Sequence, residues 1–483
     1  MKNIIEKIKK NILTKKVTTI IFMIALFLLF IVVTLWLNNL NLEPIDFTSE
    51  KLYTLTDISK EKIKNIEDEV NIYFIGYNDN ADVLDLANQY HSVNNKINIE
   101  TATSTERPDL VNKYGIDEGS IGVIVESNNK NKILSEEDFY TYDLTSYEQI
   151  DITEEKLTNS ILYVVAESIP KIYILEGYSD FSASENMNYL TMYLKNEVTT
   201  FETLNILATG NIPDDCDTLI INSPSRDFDD IALNAISNYI NNGGNILWFN
   251  LAVTQSQDFQ NVNKILALYG INSFDIGVIN ETESSKRMST SQTLIFPTVN
   301  YSAITKNIPE VLMVNATKLN FVSDEELQNL NVTKTDLMQT SDKAFFRTDF
   351  TISSSSRQNG EEEGSFIVGA ELEKIVQKAN ENEKEKVSKL IIYGENLFIS
   401  DFTLSESSSY PLIAYSYNKS IAMDSISYLV DRQEDIEIRK NTNTSVYTAT
   451  VEQNNIIQTI IYGIPIAIIF AGILVWQHRK RKK

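Results

Sequence analysis

The chain is poor in the residues that carry most enzyme chemistry: its 483 residues include one cysteine and two histidines, with only 16 glycines and 9 prolines. A single cysteine, Cys216, excludes an intrachain disulfide framework, a thiolate zinc cluster and a Cys-x-x-Cys redox pair, so stability must come from packing. No histidine stands near Cys216 in sequence to activate it, and it reads as a small loop or core residue. His478 falls in a basic tail, which leaves His91 for any Ser-His-Asp or Cys-His machine. His91 sits at a polar helix end, within Gln89-Tyr-His-Ser-Val93, and no nucleophile-elbow motif occurs in the chain. Phosphate-cradling G-x-x-x-x-G-K-[ST] and G-x-G-x-x-G loops are missing as well, so the chain is not expected to hydrolyse ATP itself.

Basic charge is also scarce, with 42 Lys and Arg against 66 Asp and Glu, a net charge of −24. So many carboxylates guarantee chance proximity, and none stands in a setting distinctive of a glycosidase pair; a solvated acidic face is the better reading. Asp214-Asp215 and the group Asp227, Asp229 and Asp230 lack the spacing of a calcium loop. The sequence therefore predicts no catalytic residue, no metal ligand and no cofactor.

What is present is a chain that is 43% hydrophobic and 10% aromatic, able to bury real cores. It is too long for one core, and two or three folded units are expected. Residues 17–37 (VTTIIFMIALFLLFIVVTLWL) carry no charge and are long enough to cross a hydrocarbon layer about 30 Å thick. A cleaved signal peptide is the rival, but the stretch exceeds the usual apolar region and ends Leu-Trp-Leu-Asn-Asn instead of in small residues. Residues 456–476 (IIQTIIYGIPIAIIFAGILVW) predict a second transmembrane helix, tolerating Gly463, Pro465 and Gly472. The flanking tails, 1–16 and 477–483, each carry +5, which predicts that both termini are cytoplasmic and that the chain is a two-pass protein of the cell membrane, held by the lipid bilayer. The residues between the tails then carry −34, an acidic extracytoplasmic domain that repels nucleic acid. Within the second helix, Gly463 and Gly472 read either as small residues for helix packing or as flexibility around Pro465; their spacing is not that of the usual dimer motif.

Between the spans, residues 47–165 read as β-α-β-α-β: a helix from Asp57 to Ile66, a strand at Val70–Ile75, a helix near Val83–Tyr90, a strand at Lys96–Glu100, a helix from Pro108 toward Tyr114 and a strand at Gly119–Val125. Residues 170–440 predict a doubly wound α/β domain, with continuously apolar strands at Pro170–Leu175, Thr218–Asn222 and Asn245–Asn250, a further strand at Phe201–Asn205, and helices at Asn186–Lys195 and Asp229–Asn241, the latter stopped by Gly243-Gly244. A loop-rich insertion is expected around 251–388, with one helix at Asn261–Tyr269 and a Ser/Glu/Gly-rich loop at Ser353–Gly364 that reads as exposed and mobile. A strand at Lys389–Gly394 and a helix near Lys419–Val430 would add an edge strand and a helix to the second sheet. Ligands in doubly wound sheets bind outside the carboxyl ends of the strands, which puts Glu176, Gly177, Tyr178, Ser179 and Asp180 at the rim of a candidate ligand or partner crevice; an ordinary strand-to-helix loop is the alternative.

The order of several segments resembles the auxiliary, extracytoplasmic subunits of ABC transporters typified by the gliding-motility protein GldG. The matching segments are 46–56 (DFTSEKLYTLT), 171–180 (KIYILEGYSD), 212–224 (IPDDCDTLIINSP), 239–248 (YINNGGNILW), 364–370 (GSFIVGA), the strand from Leu390 to Ser400, and the closing helix with its Trp and basic tail. The resemblance implies a thioredoxin-like first domain without redox cysteines and a second domain similar to class I glutamine amidotransferases without the catalytic triad. Where the family commonly has Gly-His-Gly-Glu, this chain has Gly177-Tyr-Ser-Asp180, so that His has no counterpart here. The function implied is a non-catalytic accessory subunit working with a separately encoded permease and ATPase; the alternative is a stand-alone membrane-anchored envelope receptor or sensor.

Overall fold

The computed structural model describes residues 22–23, 27–28 and 54–432, apart from 78–81, 117–120, 143–148, 197–198, 251–257, 273–275, 289, 379–384 and 406–409. The two expected membrane spans, with Gly463 and Gly472, lie outside the described residues except for Phe22, Met23, Phe27 and Leu28, which are helical and exposed. Among the described residues, no helix is long and apolar enough to cross a membrane.

The chain divides into two compact units, residues 1–65 with 78–95, and residues 66–77 with 96–483. In the first, helix α1 (Asp57–Lys64) is capped by Thr56, whose side chain accepts from Ser59 N. Helix α2 (Asp82–Val93) follows, and the Asn94 side chain donates to the Ile63 carbonyl at 2.7 Å, satisfying an orphan group at the end of α1.

The second unit holds the sheets. A four-stranded sheet has the order β2-β1-β3-β4. It is built from β1 (Val70–Ile75), β2 (Ile97–Ala102), β3 (Gly122–Ser127) and β4 (Lys130–Ser135), with β1 and β2 parallel and the rest antiparallel. Helix α3 (Pro108–Tyr114) precedes β3. Helix α4 (Thr153–Val165) packs against β3 and β4. The sequence reading placed nothing at β4 or α4, although Leu157, Ile161 and Val164, all buried, have helical spacing.

A larger sheet of eight strands follows. Its members are β5 (Lys171–Leu175), β6 (Thr200–Leu204), β7 (Thr218–Asn222), β8 (Asn245–Phe249), β9 (Thr298–Val299), β10 (Val332–Gln339), β11 (Ile367–Gln377) and β12 (Lys386–Tyr393), in the order β9-β10-β11-β12-β8-β7-β5-β6. Strands β6, β5, β7, β8 and β12 are parallel, and β11, β10 and β9 continue antiparallel. Alternate residues of the parallel strands feed two separate cores. Ile172, Ile174, Ile220, Leu247, Phe249, Ile391 and Tyr393 meet helices α5 (Asn188–Asn196) and α8 (Asn418–Leu429) on one face. Tyr173, Leu175, Leu219, Ile221, Ile246, Trp248, Leu390 and Ile392 meet α6 (Asp230–Asn241) and α7 (Gln260–Ala267) on the other. Burial on both faces is why these strands read as unbroken apolar runs.

One strand differs in place from its expectation: β12 is not an edge but lies inside the sheet, parallel to β8 and antiparallel to β11. Its apolar run, Leu390–Tyr393, is buried on both faces, which an edge position would leave partly exposed. Helix α6 does stop at the glycine pair, where Gly243 (φ +85°) donates to Ile240 O and Gly244 to Tyr239 O. The start of α5 is held from far along the chain, since the Asp401 carboxylate accepts from Asn188 N, Asn188 Nδ2 and Tyr189 N at 2.7–3.1 Å.

The Ser-rich loop is exposed as read, but it is anchored instead of free. Arg347 reaches into it, donating to Ser354 O (2.6 Å), Ser356 O (3.0 Å) and both oxygens of Glu361. The side chains of this ion pair are 9% and 8% exposed. Hydrogen bonds from Arg347 are the main cause holding the Glu361 carboxyl below the usual range, against burial. Breaking a buried pair from one side leaves an uncompensated charge. Arg347→Met should therefore destabilise the fold by about 3–5 kcal/mol in urea titration, and adding Glu361→Gln should recover most of that loss. Because the folded-state value is depressed, the pair's contribution is complete above the unfolded carboxylate value of about 4.3 and fades as pH falls through the lower folded value. Acid titrations of stability should lose that component in Arg347→Met.

Candidate functional site

The loop singled out in the sequence leaves β5 at its carboxyl end, and its five residues have different fates. Glu176 is half-buried, and Glu176 N donates to Leu204 O, extending the pairing of β5 with β6. Gly177 turns the chain at φ +92°, a conformation that glycine adopts without strain, and lies exposed. Tyr178 folds inward and is 5% exposed. Its ring meets Phe228 edge to face at 5.0 Å, and its hydroxyl donates to Asp229 Oδ2 at 2.7 Å. Ser179 is half-buried, bridges to Pro224, and its Oγ accepts from Phe181 N. Asp180 is exposed, 4.0 Å from the exposed Arg226 guanidinium. The loop is therefore zipped along 224–226, where Ser225 N donates to Tyr178 O at 2.9 Å, and only Gly177, Asp180 and Arg226 offer themselves to solvent.

The acidic residues that suggested a cation are committed to structure. Asp229 caps α6, its Oδ1 accepting from Ile231 N and Ala232 N. Asp227 does the same for α7, accepting from Asn261 N and Val262 N. Asp215 accepts from Lys171 Nζ and Tyr173 Oη, both at 3.0 Å. Among the described residues, no group of three or more His, Cys, Asp or Glu side chains could hold a metal. Burial pushes the Cys216 thiol up to about 12, so it is protonated at neutral pH, and its Sγ lies 3.5 Å from Tyr239 Oη. His91 is exposed on α2.

The sequence reading missed the residues just past the carboxyl ends of the central strands. Ser223 N donates to Phe249 O and Asn250 N to Tyr393 O, so Ser223, Asn250 and Gly394 stand level on neighbouring strands. Around them Asn222, Ser223, Asn250, Thr317, Glu395 and Asn396 are all buried. Asn222 Oδ1, Ser223 Oγ, Thr317 Oγ1 and both amide atoms of Asn396 have no hydrogen-bond partner among the described residues. Ser223 holds φ at +48°, uncommon for a non-glycine residue. Burial raises the Glu395 carboxyl well above its ordinary range, opposed by hydrogen bonds from Phe398 N and Leu397 N. The row thus gathers buried polar groups at the strand ends, several of them without a partner among the described residues. Only the strand ends were visible in sequence; the signal for the row would have been polar residues directly after each apolar run: Asn222-Ser223, Asn250 and Glu395-Asn396. At the opposite end of the sheet, a groove of about 650 Å³ runs beside α6 and is lined by Asn234, Asn238, Asn242 and Cys216.

Two substitutions separate the buried from the exposed part of the loop. Tyr178→Ala should cost about 3–5 kcal/mol of stability, as for other large core aromatics, and so is a folding mutation. Asp180→Ala should stay within about 0.5 kcal/mol of wild type in the same denaturation measurement.

A family model for an ABC-type uncharacterized transport system matches residues 169–422, the stretch that carries the large sheet and this row. No curated protein matches the chain. Among solved structures, the mmIFT52 N-terminal domain is 14% identical with a TM-score of 0.38, covering 54% of this chain and 97% of that one. A ThuA-like protein from Bacteroides uniformis is 13% identical with a TM-score of 0.32, covering 54% of this chain and 90% of that one. The family match spans more than half of the residues, and the chain belongs to the ABC_transp_aux family of ABC-type transport system components.

Proposed function

We propose that this protein is a non-catalytic, GldG-type accessory subunit, tethered to the membrane by helices at 17–37 and 456–476. In this reading its acidic region, a thioredoxin-like domain followed by an amidotransferase-like one, faces outward and presents a binding or guiding surface. The observation that carries the reading is the family match over residues 169–422, since an auxiliary component of an ABC transport system associates with the other components of that system. Two further observations support it. No Walker loop occurs in the sequence, so a separately encoded ATPase must supply the energy. The basic tails of +5 and the acidic middle of −34 suit a protein with both ends in the cytoplasm. In this reading the transported or sensed material meets the exposed part of the loop after β5, at Gly177, Asp180 and the neighbouring Arg226.

Assembly then rests on the membrane helices, because exposed ion pairs on an acidic surface contribute only about 0–1 kcal/mol each. Affinity purification of the tagged protein from its own membranes should recover an ATPase and a multi-span permease. Gly463→Leu with Gly472→Leu should reduce permease recovery, and Asp180→Ala should leave it unchanged. Recovery of neither partner would favour a stand-alone receptor. In a Cys216→Ser background, a membrane-impermeant thiol reagent should label a cysteine placed at Ser355 in intact cells and not one placed at Asn3; equal labelling refutes the topology.

A further inference from the structure

A second site lies away from the strand ends, where the hairpin strand β4 and helix α4 face the end of α5. The space there is about 250 Å³ and is lined by Lys132, Lys156 and Lys195 with Asn159, Ser160 and Asp138. Three lysines lining one small cavity are unexpected in a chain of net charge −24. Lys156 is the telling member, for it is 5% exposed and borders the cavity. Among the described residues, none of the three lysines has an ion-pair partner. Lys132 is held in place by the Tyr163 ring, 4.3 Å from its Nζ, and by Lys195 O at 3.4 Å.

The nearby carboxylates do not neutralise this charge. Asp138 is turned to the start of its own turn, where Oδ2 accepts from Ser135 N (2.7 Å) and Ser135 Oγ (2.8 Å). Glu155 and Asp138 lend Lys156 some field, which Lys132 and Lys419 oppose. The net result is that desolvation lowers the pKa of both Lys132 and Lys156, the mark of cations short of counter-charge. Burying an ammonium without an anion costs several kcal/mol, and a bound anion would offset that cost.

We propose that this cavity is a binding site for a small phosphate or phosphomonoester, with Lys132, Lys156 and Lys195 supplying the positive charge and Ser160 a neutral donor. The size fits: the volume equals about eight waters at roughly 30 Å³ each, and lies just below the range of pockets for drug-sized ligands. An anion there ties the four-stranded sheet, through β4 and α4, to α5 of the eight-stranded sheet. Binding thus fastens two sheets of one unit to each other.

The test uses the full-length chain in detergent, with inorganic phosphate as probe, sulfate as the competing oxyanion, and chloride at matched ionic strength as the blank. It needs no transporter partner, so its outcome is separate from that of the accessory-subunit reading. Phosphate should bind in calorimetry and raise the melting temperature, more than sulfate does. Lys156→Met should weaken phosphate binding about tenfold or more, as expected for loss of one charge-assisted contact. The same variant should melt no lower than wild type without phosphate, because it removes a charge that is buried and unpaired. Lys195→Gln alters an exposed residue and should weaken binding without unfolding the protein; it decides the matter if Lys156→Met does not fold. Absence of binding, or equal phosphate affinity in wild type and Lys195→Gln, overturns the proposal.

Discussion

Everything in the larger sheet follows from burying parallel strands on both faces. A parallel strand pair needs a crossover between its members, and the helices of those crossovers cover the sheet. Each of β5, β7, β8 and β12 must then be apolar at every inner position, because either face left wet would waste the packing of a helix. The two cores that result share no side chain, yet the sheet backbone joins them, so a lesion in Trp248 on one face is felt beside Phe249 on the other. A row of buried polar groups, from Asn222 to Asn396, is found where the strands stop.

That rule separates what could be read in sequence from what could not. Strands whose apolar runs are unbroken were located almost to the residue, as with Val70–Ile75, Thr218–Asn222 and Asn245–Phe249. Strands β10 and β11 escaped, since VTKTDLMQ and IVGAELEKIVQ mix charge into their length and pair antiparallel at the less covered side of the sheet. Strand β12 was found but put at the edge, because a sequence lists strands in order and does not say which neighbours they choose. Of the candidate loop, composition could not distinguish Tyr178, locked against Phe228 and Asp229, from Asp180 two residues later in solvent.

The acidic balance of the chain is likewise a statement about its surface, not its interior. Arg347 with Glu361 and Lys156 are both buried charges, handled in opposite ways. The first has its counter-ion within the chain, and the second leaves a vacancy of charge. A mean property such as net charge cannot show either, because each depends on residues brought together from separate elements.

The interior position of β12 also has a consequence for how the protein is made. Strand β8 must wait for a neighbour from far downstream: Lys389 N donates to the Asn245 side chain across 144 residues, and Asp401 closes the start of α5 across 213. Until the ribosome has released residues past 401, the half-sheet of β5 to β8 shows an open edge, and α5 lacks its cap. Such long-range closure slows folding and leaves an unpaired strand exposed in the meantime. A nascent chain of this design needs shelter during synthesis, and truncation anywhere before β12 leaves a fragment inclined to join its edge to another chain.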